Sequence, residues 1–238
     1  MRALIVHAHP EPTSFNAALR DAAVGAIAAA GHEVEVSDLY AQDFEARAGR
    51  HDFLSTADSE RFHYQREQEY AARHRAFAPD VAREQASVAA ADLLILQFPL
   101  WWGGPPAILK GWFERVMAYG FAYVDARRFE SGLFKGRRAL MSVTTGGTQE
   151  RFSPAGVYGD IDAVLYPVRR LTLEYMGYEV APPFVSYAAP RVSEAARRAM
   201  LAQWTATVRG ALAAPLPERP ADDDALASVG AAAWTRTS

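Results

Sequence analysis

The feature that most restricts the fold is a set of short, almost wholly apolar runs, each breaking off into an unusual loop. Residues 3–6 read ALIV and lead into HAHPEPTSFN. Residues 92–98 read DLLILQF and lead into PLWWGGPP, and residues 138–143 lead into TTGG and a loop that reaches residue 160. Runs this short, continuous and rich in Leu, Ile and Val suit strands buried on both faces of a parallel sheet. Residues 33–38, EVEVSD, alternate like a strand, and residues 178–187 read as a last strand interrupted by prolines. Helical stretches lie between the strands. Residues 17–30 are rich in helix formers and stop at Gly31. Residues 80–91 and 107–119 follow, then residues 161–176, with a kink expected at Pro167 and an end at Gly177. Residues 194–213 form a closing helix. Strands alternating with helices imply an α/β fold: a doubly wound, parallel, five-stranded sheet with helices on both faces.

One domain over residues 1–213 is expected, with a polar, partly helical insertion at about 39–79 and a Pro-, Ala- and Asp-rich tail at 214–238 that wraps a partner or is mobile. Half of the 238 residues are hydrophobic, enough for a sizeable core. The net charge of −3 and the lack of a basic patch argue against nucleic acid or an anionic membrane as the main partner. With no cysteine, disulfides, thiolate metal sites and a catalytic thiol are excluded. The 6 histidines are scattered without zinc-like spacing, so no metal is expected. The first residues enter a strand directly, without secretory-signal features, and no apolar run reaches membrane-span length. A cytoplasmic protein without stable membrane insertion is the expectation.

In parallel sheets of this kind ligands sit beyond the carboxyl ends of the strands, where the strand order switches. All three unusual loops leave carboxyl ends, which points to one composite site. The first enters a helix, whose free N–H groups suit a phosphate. Thr13, Ser14 and Asn16 would add hydrogen bonds to a pyrophosphate and His9 another donor, although simple N-capping accounts for one of these residues. The second loop places Trp101 and Trp102 where a flat aromatic ligand would lie against an indole, with Gly103 and Gly104 allowing close backbone approach. A packed tryptophan pair at a sheet edge is the plainer alternative. In the third loop the N–H groups of Gly146 and Gly147 would hold an anionic ring edge, unless they form an ordinary turn. There is no GxGxxG or Walker A sequence, and Ser14 lacks a nucleophile-elbow context, so hydrolysis fits poorly.

Together, AHPEPTSFN, QFPLWWGGPPAILKGWFERV, FAY and TTGG, in this order and spacing over roughly residues 1–210, resemble the NAD(P)H:quinone oxidoreductase family, the DT-diaphorase-like branch of the flavodoxin-like fold. The resemblance implies FAD, or FMN as in some relatives, bound across the three loops. His9, Phe15 and Asn16 would serve the flavin phosphates. Leu100, Trp101, Trp102 and Gly103 would line its ring, and Thr144, Thr145, Gly146 and Gly147 would hold the pyrimidine edge. The family's adenine-side glutamine falls on His63 and its basic residue near the FAD phosphates on Arg197, which favours FAD, although a solvated helix face also explains an arginine there. The substrate side falls on Tyr123, Val124 and Asp125. Asp125 stands where the family often has a tyrosine. The family's vertebrate tyrosine and histidine of the third loop fall on Phe152 and Tyr158, so that pair is absent as such. Phe152 and Tyr158 would line the substrate pocket, with Tyr158 and the N–H groups of Gly146 and Gly147 as the catalytic candidates. Arg170 and Glu174 replace the metal-binding histidines of some relatives.

The implied activity is two-electron reduction of a quinone, or of azo or nitro acceptors, by NADH or NADPH, with ping-pong kinetics in a homodimer. Its alternative is a flavin-bearing regulatory subunit of a potassium efflux system. A one-electron carrier fits less well, because it needs neither a nicotinamide pocket nor the long insertion.

Overall fold

Successive side chains of a strand face opposite sides of its sheet, and the central strands of this protein are apolar on both. In the computed structural model, which describes residues 1–221 and 225–228, β1 (Arg2–His7), β3 (Leu93–Pro99) and β4 (Arg138–Thr144) form the buried centre. Leu4, Val6, Leu94, Leu96, Phe98, Met141 and Val143 point into one core cluster. Their neighbours Ala3, Ile5, Leu93, Ile95 and Leu140 point into another. The helices divide accordingly. On the first face lie α3 (Pro79–Ala90), α4 (Ala107–Val116) and α5 (Ile161–Val168), through Val88, Trp112, Val116 and Leu165. On the second lie α1 (Phe15–Ala29) and α6 (Glu194–Ala213), through Leu19, Ile27, Trp204 and Val208.

With β2 (Glu33–Asp38) on the edge, the strand order is β2-β1-β3-β4-β5, every pairing parallel. The order reverses between β1 and β3, and the carboxyl ends of these strands face the reversal. The last strand position is split. β5 (Glu179–Val180) and β6 (Phe184–Ser186) both pair with β4, separated by Ala181, Pro182 and Pro183. Proline has no N–H to give to a ladder, so two in a row interrupt it. The five expected strand positions are therefore occupied by six segments.

Three further details differ from expectation. The helix after β3 ends at Val116 and not at residue 119. There Gln85 donates to the carbonyl of Val116, and the amide of Gln68 accepts from the N–H of Tyr119, so side chains capture the helix end. The kink expected at Pro167 is a change of helix type: α5 runs on into a π-helical segment, Arg169–Glu174. A π-bulge beside a proline is a common way for a helix to absorb the missing hydrogen bond. The insertion, for its part, has a core of its own. It holds α2 (Tyr64–His74), and Phe53, Phe77 and Val81 pack together with Ala118. An ionic cluster clamps it to α4. The guanidinium of Arg115 contacts Asp52 at 2.6 Å and Asp80 at 2.8 Å, and Tyr64 donates to Asp52 at 2.6 Å.

The described part of the tail is fastened to the body. Arg138 donates to the carbonyls of Ala211, Ala214 and Pro215, and Arg219 pairs with Asp92 at 3.1 Å. Residues 222–224 and 229–238 lie outside the described residues.

Candidate active site

The first loop is shaped by its own side chains. Glu11 accepts from the N–H of Thr13 at 2.8 Å and from its hydroxyl at 2.6 Å. These bonds hold its carboxyl below the usual range. The Glu11 N–H donates to Nδ1 of His9 at 3.0 Å, so the ring proton of neutral His9 sits on Nε2 and is available as a donor. Ser14 caps α1 by accepting from the N–H of Ala17. Among the described residues the N–H groups of Phe15 and Asn16 have no acceptor, as is usual in the first turn of a helix.

The second loop turns sharply. Trp101 and Gly104 exchange both backbone hydrogen bonds around Trp102 and Gly103, whose φ angles are +51° and +75°. This is the left-handed two-residue turn that asparagine and glycine favour, and a tryptophan in it is strained. The turn sends the two indoles apart. Trp101 stays over the strand ends with its ring 6.0 Å from that of His9, whereas Trp102 is fully exposed.

The third loop ties its carbonyls back. The carbonyl of Gly147 accepts from Ala188 and from the Thr145 hydroxyl, both at 2.8 Å, and that of Gly146 accepts from Arg191. The N–H groups of both glycines have no acceptor among the described residues. A methyl group at Gly146 would meet nothing within 4 Å, so the surface there is open.

The three loops enclose a cavity of about 740 Å³, within the usual range for a small-molecule site. Of the residues singled out in the sequence, His9, Phe15, Asn16, Leu100, Trp101, Thr144, Thr145, Gly146 and Arg197 lie on it. Arg197 donates to the carbonyl of Val192 at 3.0 Å, which sets its guanidinium against this wall. Ala189 and Pro190 form a wall that sequence reasoning missed. Its one local signal is the Tyr-Ala-Ala-Pro turn after β6, where Ala188 has a φ of +51°.

Other candidates lie elsewhere. Phe152 and Tyr158 stand beside Gly147, their ring centres 5.0 Å apart. Trp102 and Gly103 are not on the cavity wall. His63 caps α2, accepting from the N–H of Arg66, away from the cavity. A second cavity, of about 540 Å³, contains Tyr123 together with Gln65, Phe113, Leu171 and Tyr175. The Tyr123 phenol accepts from Gln65 at 3.0 Å, and burial raises its pKa, so it remains a neutral donor. Val124 is wholly buried, which removes it from contact with any ligand in this chain. The N–H of Asp125 bonds the hydroxyl of Tyr119, and its side chain lines neither cavity.

A family profile described as flavodoxin-like fold matches residues 1–208. The chain is 45% identical over 205 residues to a ribosyldihydronicotinamide dehydrogenase [quinone] of Pongo abelii, covering 86% of this chain and 89% of that protein. It is 44% identical to NAD(P)H dehydrogenase [quinone] 1 of Cavia porcellus, covering 85% of this chain and 74% of that one.

This chain belongs to the NAD(P)H:quinone oxidoreductase family.

A solved structure from Klebsiella pneumoniae, provisionally described as a quinone reductase, superposes with a TM-score of 0.86 at 37% identity, covering 91% of this chain and 86% of that one. The glutathione-regulated potassium-efflux system ancillary protein KefF of Enterobacter sp. (strain 638) matches only 47% of this chain and 60% of its own length, at 33% identity.

Proposed function

We propose that this protein is a flavoenzyme that reduces quinones by two electrons at the expense of NADH or NADPH. The observation that carries the reading is the convergence of N–H groups without an acceptor among the described residues, from the start of α1 and from Gly146, with one indole face, on a single cavity of about 740 Å³, with the Gly147 N–H next along the same loop. The residues fit a flavin. Phe15, Asn16 and His9 would hold phosphate at the start of α1, where the helix dipole favours negative charge. Leu100 and Trp101 would flank the ring, and Thr144, Thr145, Gly146 and Gly147 would hold its polar edge. FAD is favoured over FMN because Arg197, on the same cavity, offers a cation for a second phosphate. Chromatography of the flavin released on denaturation checks that choice, and FMN alone would overturn it.

The chemistry a flavin supplies when bound is two-electron transfer, as hydride, from the nicotinamide to the acceptor. The N–H groups of Gly146 and Gly147 share their peptide planes with the carbonyls of Thr145 and Gly146, which accept from Ala189 and Arg191, so they would stabilise negative charge on the polar edge with little reorganisation. Tyr158 would bound the pocket in which nicotinamide and acceptor alternate.

A homodimer completes the site in this reading. Trp102, fully exposed, and Tyr158 and Leu171, about half exposed, offer apolar anchors to a second copy. His63 and the cavity around Tyr123, remote from the flavin cavity of their own chain, would then face that of the partner. Light scattering that found only a 26.1 kDa species would contradict it. A cytoplasmic location is part of this reading, and no helix among the described residues is long and apolar enough to cross a membrane. The alternative, an ancillary subunit of potassium efflux, is supported by the partial match alone. Co-sedimentation with membranes without turnover would favour it.

Because donor and acceptor share one pocket, initial-rate plots at several quinone concentrations are expected to be parallel. Intersecting lines would mean a ternary complex and a different site architecture.

A further inference from the structure

Gln97 is a polar residue in the middle of an apolar central strand, LLILQFP, and it is wholly buried. Its amide Nε2 donates to Oδ1 of Asn16 at 2.9 Å. The other end of the Asn16 amide, Nδ2, donates to the hydroxyl oxygen of Thr144 at 2.9 Å. One chain of hydrogen bonds thus joins β3, the first turn of α1 and the end of β4, the elements that carry the three loops of the site. Asn16 and Thr144 line the cavity, whereas Gln97 lies behind them.

The chain has a direction. Since Gln97 gives a proton to Asn16, the Asn16 carbonyl must face Gln97 and its NH₂ must face Thr144. Since Thr144 accepts from that NH₂, its own hydroxyl proton is left to point elsewhere, and the cavity is where Thr144 meets open space. Reversing the Asn16 amide would make Thr144 the donor to Asn16 and leave it only an acceptor toward the cavity.

The fold gains little from the arrangement. Among the described residues Oε1 of Gln97 has no hydrogen-bond partner, and neither do the ring nitrogens of buried His7 or the hydroxyl of Ser142. Those two residues stand beside Gln97 in register on the neighbouring strands. Buried polar groups left unpaired weaken a fold, and an apolar side chain of similar shape removes that cost. A residue that breaks the local rule at the floor of a site is best explained by the site.

We infer that Gln97 is a positioning residue: through Asn16 it sets the Thr144 hydroxyl as a hydrogen-bond donor toward the flavin. The inference rests on the flavin reading above.

The test compares the wild-type chain with Gln97→Leu and Gln97→Met, stripped of flavin, by thermal unfolding and by fluorescence titration with FAD and FMN. Both variants are expected to be at least as stable as the wild type without flavin, while the flavin dissociation constant rises about tenfold, the effect of one misdirected hydrogen bond. In a Thr144→Val background the same Gln97 substitutions are expected to leave that constant unchanged, because the relay ends at Thr144. Variants that fail to fold, or that lose stability while binding flavin normally, would assign the amide to the fold and overturn the inference. So would an undiminished effect in the Thr144→Val background. A wild-type chain that binds neither flavin would instead remove the reading of the site itself.

Discussion

A methyl group added at Gly147 would lie 2.8 Å from Cε2 of Phe152 and 3.1 Å from Cε2 of Tyr158. The rings of Phe152 and Tyr158, or the loop backbone that presents the two N–H groups, would have to shift. Phe152 has no hydrogen-bond donor, so in the proposed reading these N–H groups would carry the stabilisation of charge on the flavin's polar edge. Removing a donor from such a site typically slows reaction by about 10²–10³-fold. Gly147→Ala is therefore expected to slow flavin reduction by NAD(P)H on the order of a hundredfold in stopped-flow traces. Tyr158→Phe is expected to slow it only a few-fold, because the phenol is half exposed and its hydrogen bond, from Arg151, is long at 3.5 Å. A thousandfold loss in Tyr158→Phe with flavin still bound would make that phenol the proton donor and contradict the assignment.

Among the elements, α4 shows how tertiary contact overrides local preference. Gly111 lies inside this helix, where alanine is ordinarily the more stable residue by roughly 0.5–1 kcal/mol. Here the insertion crosses so closely that a Cβ at Gly111 would stand 2.0 Å from the carbonyl oxygen of Ala46. Gly111→Ala is thus expected to destabilise the protein by about 1–3 kcal/mol, the cost of overpacking, in chemical denaturation. A variant as stable as the wild type would show that the crossing is loose. The same crossing explains what the sequence did and did not disclose. The central strands and α6 were legible because their apolar residues alternate or recur at one period, and α6 occupies the expected residues 194–213. The partly helical insertion was legible, with α2 inside it, but its docking was not, because it is held by Asp52, Asp80 and Arg115, charges far apart in the chain that read individually as surface residues. Of the site, the three loops were legible from their glycines, tryptophans and helix-start residues. The wall of Ala189 and Pro190 was not, since an alanine and a proline have no distinctive chemistry of their own, and the outward turn of Trp102 depends on a φ angle that a tryptophan rarely adopts.

For the molecule as a whole, buried His7, without a hydrogen-bond partner among the described residues, links stability to pH. Burial, opposed by Asp38 and reinforced by Arg20 and His9, pushes its pKa from 6.5 down to about 4. The unfolded chain therefore takes up a proton at a pH where the folded one does not. The stabilisation is fully present above pH 6.5 and is lost as pH falls from there toward about 4. A shift of this size corresponds to roughly 3 kcal/mol. Chemical denaturation at a series of pH values is expected to show that decline, and His7→Leu to flatten it. An unchanged decline in the variant would place its origin in the carboxylates. The sheet that buries His7 also brings the three loops to one edge, so the cavity they form belongs to the whole fold and not to any one of its segments. Whether that cavity carries two electrons from a nicotinamide to a quinone is tested most directly by following the two half-reactions separately under anaerobic conditions. The holoprotein, mixed with NADH or NADPH, is expected to lose its flavin absorbance completely. One equivalent of quinone per flavin is then expected to restore it. A chain that holds no flavin, or whose bound flavin keeps its absorbance with both nicotinamides, would contradict the account.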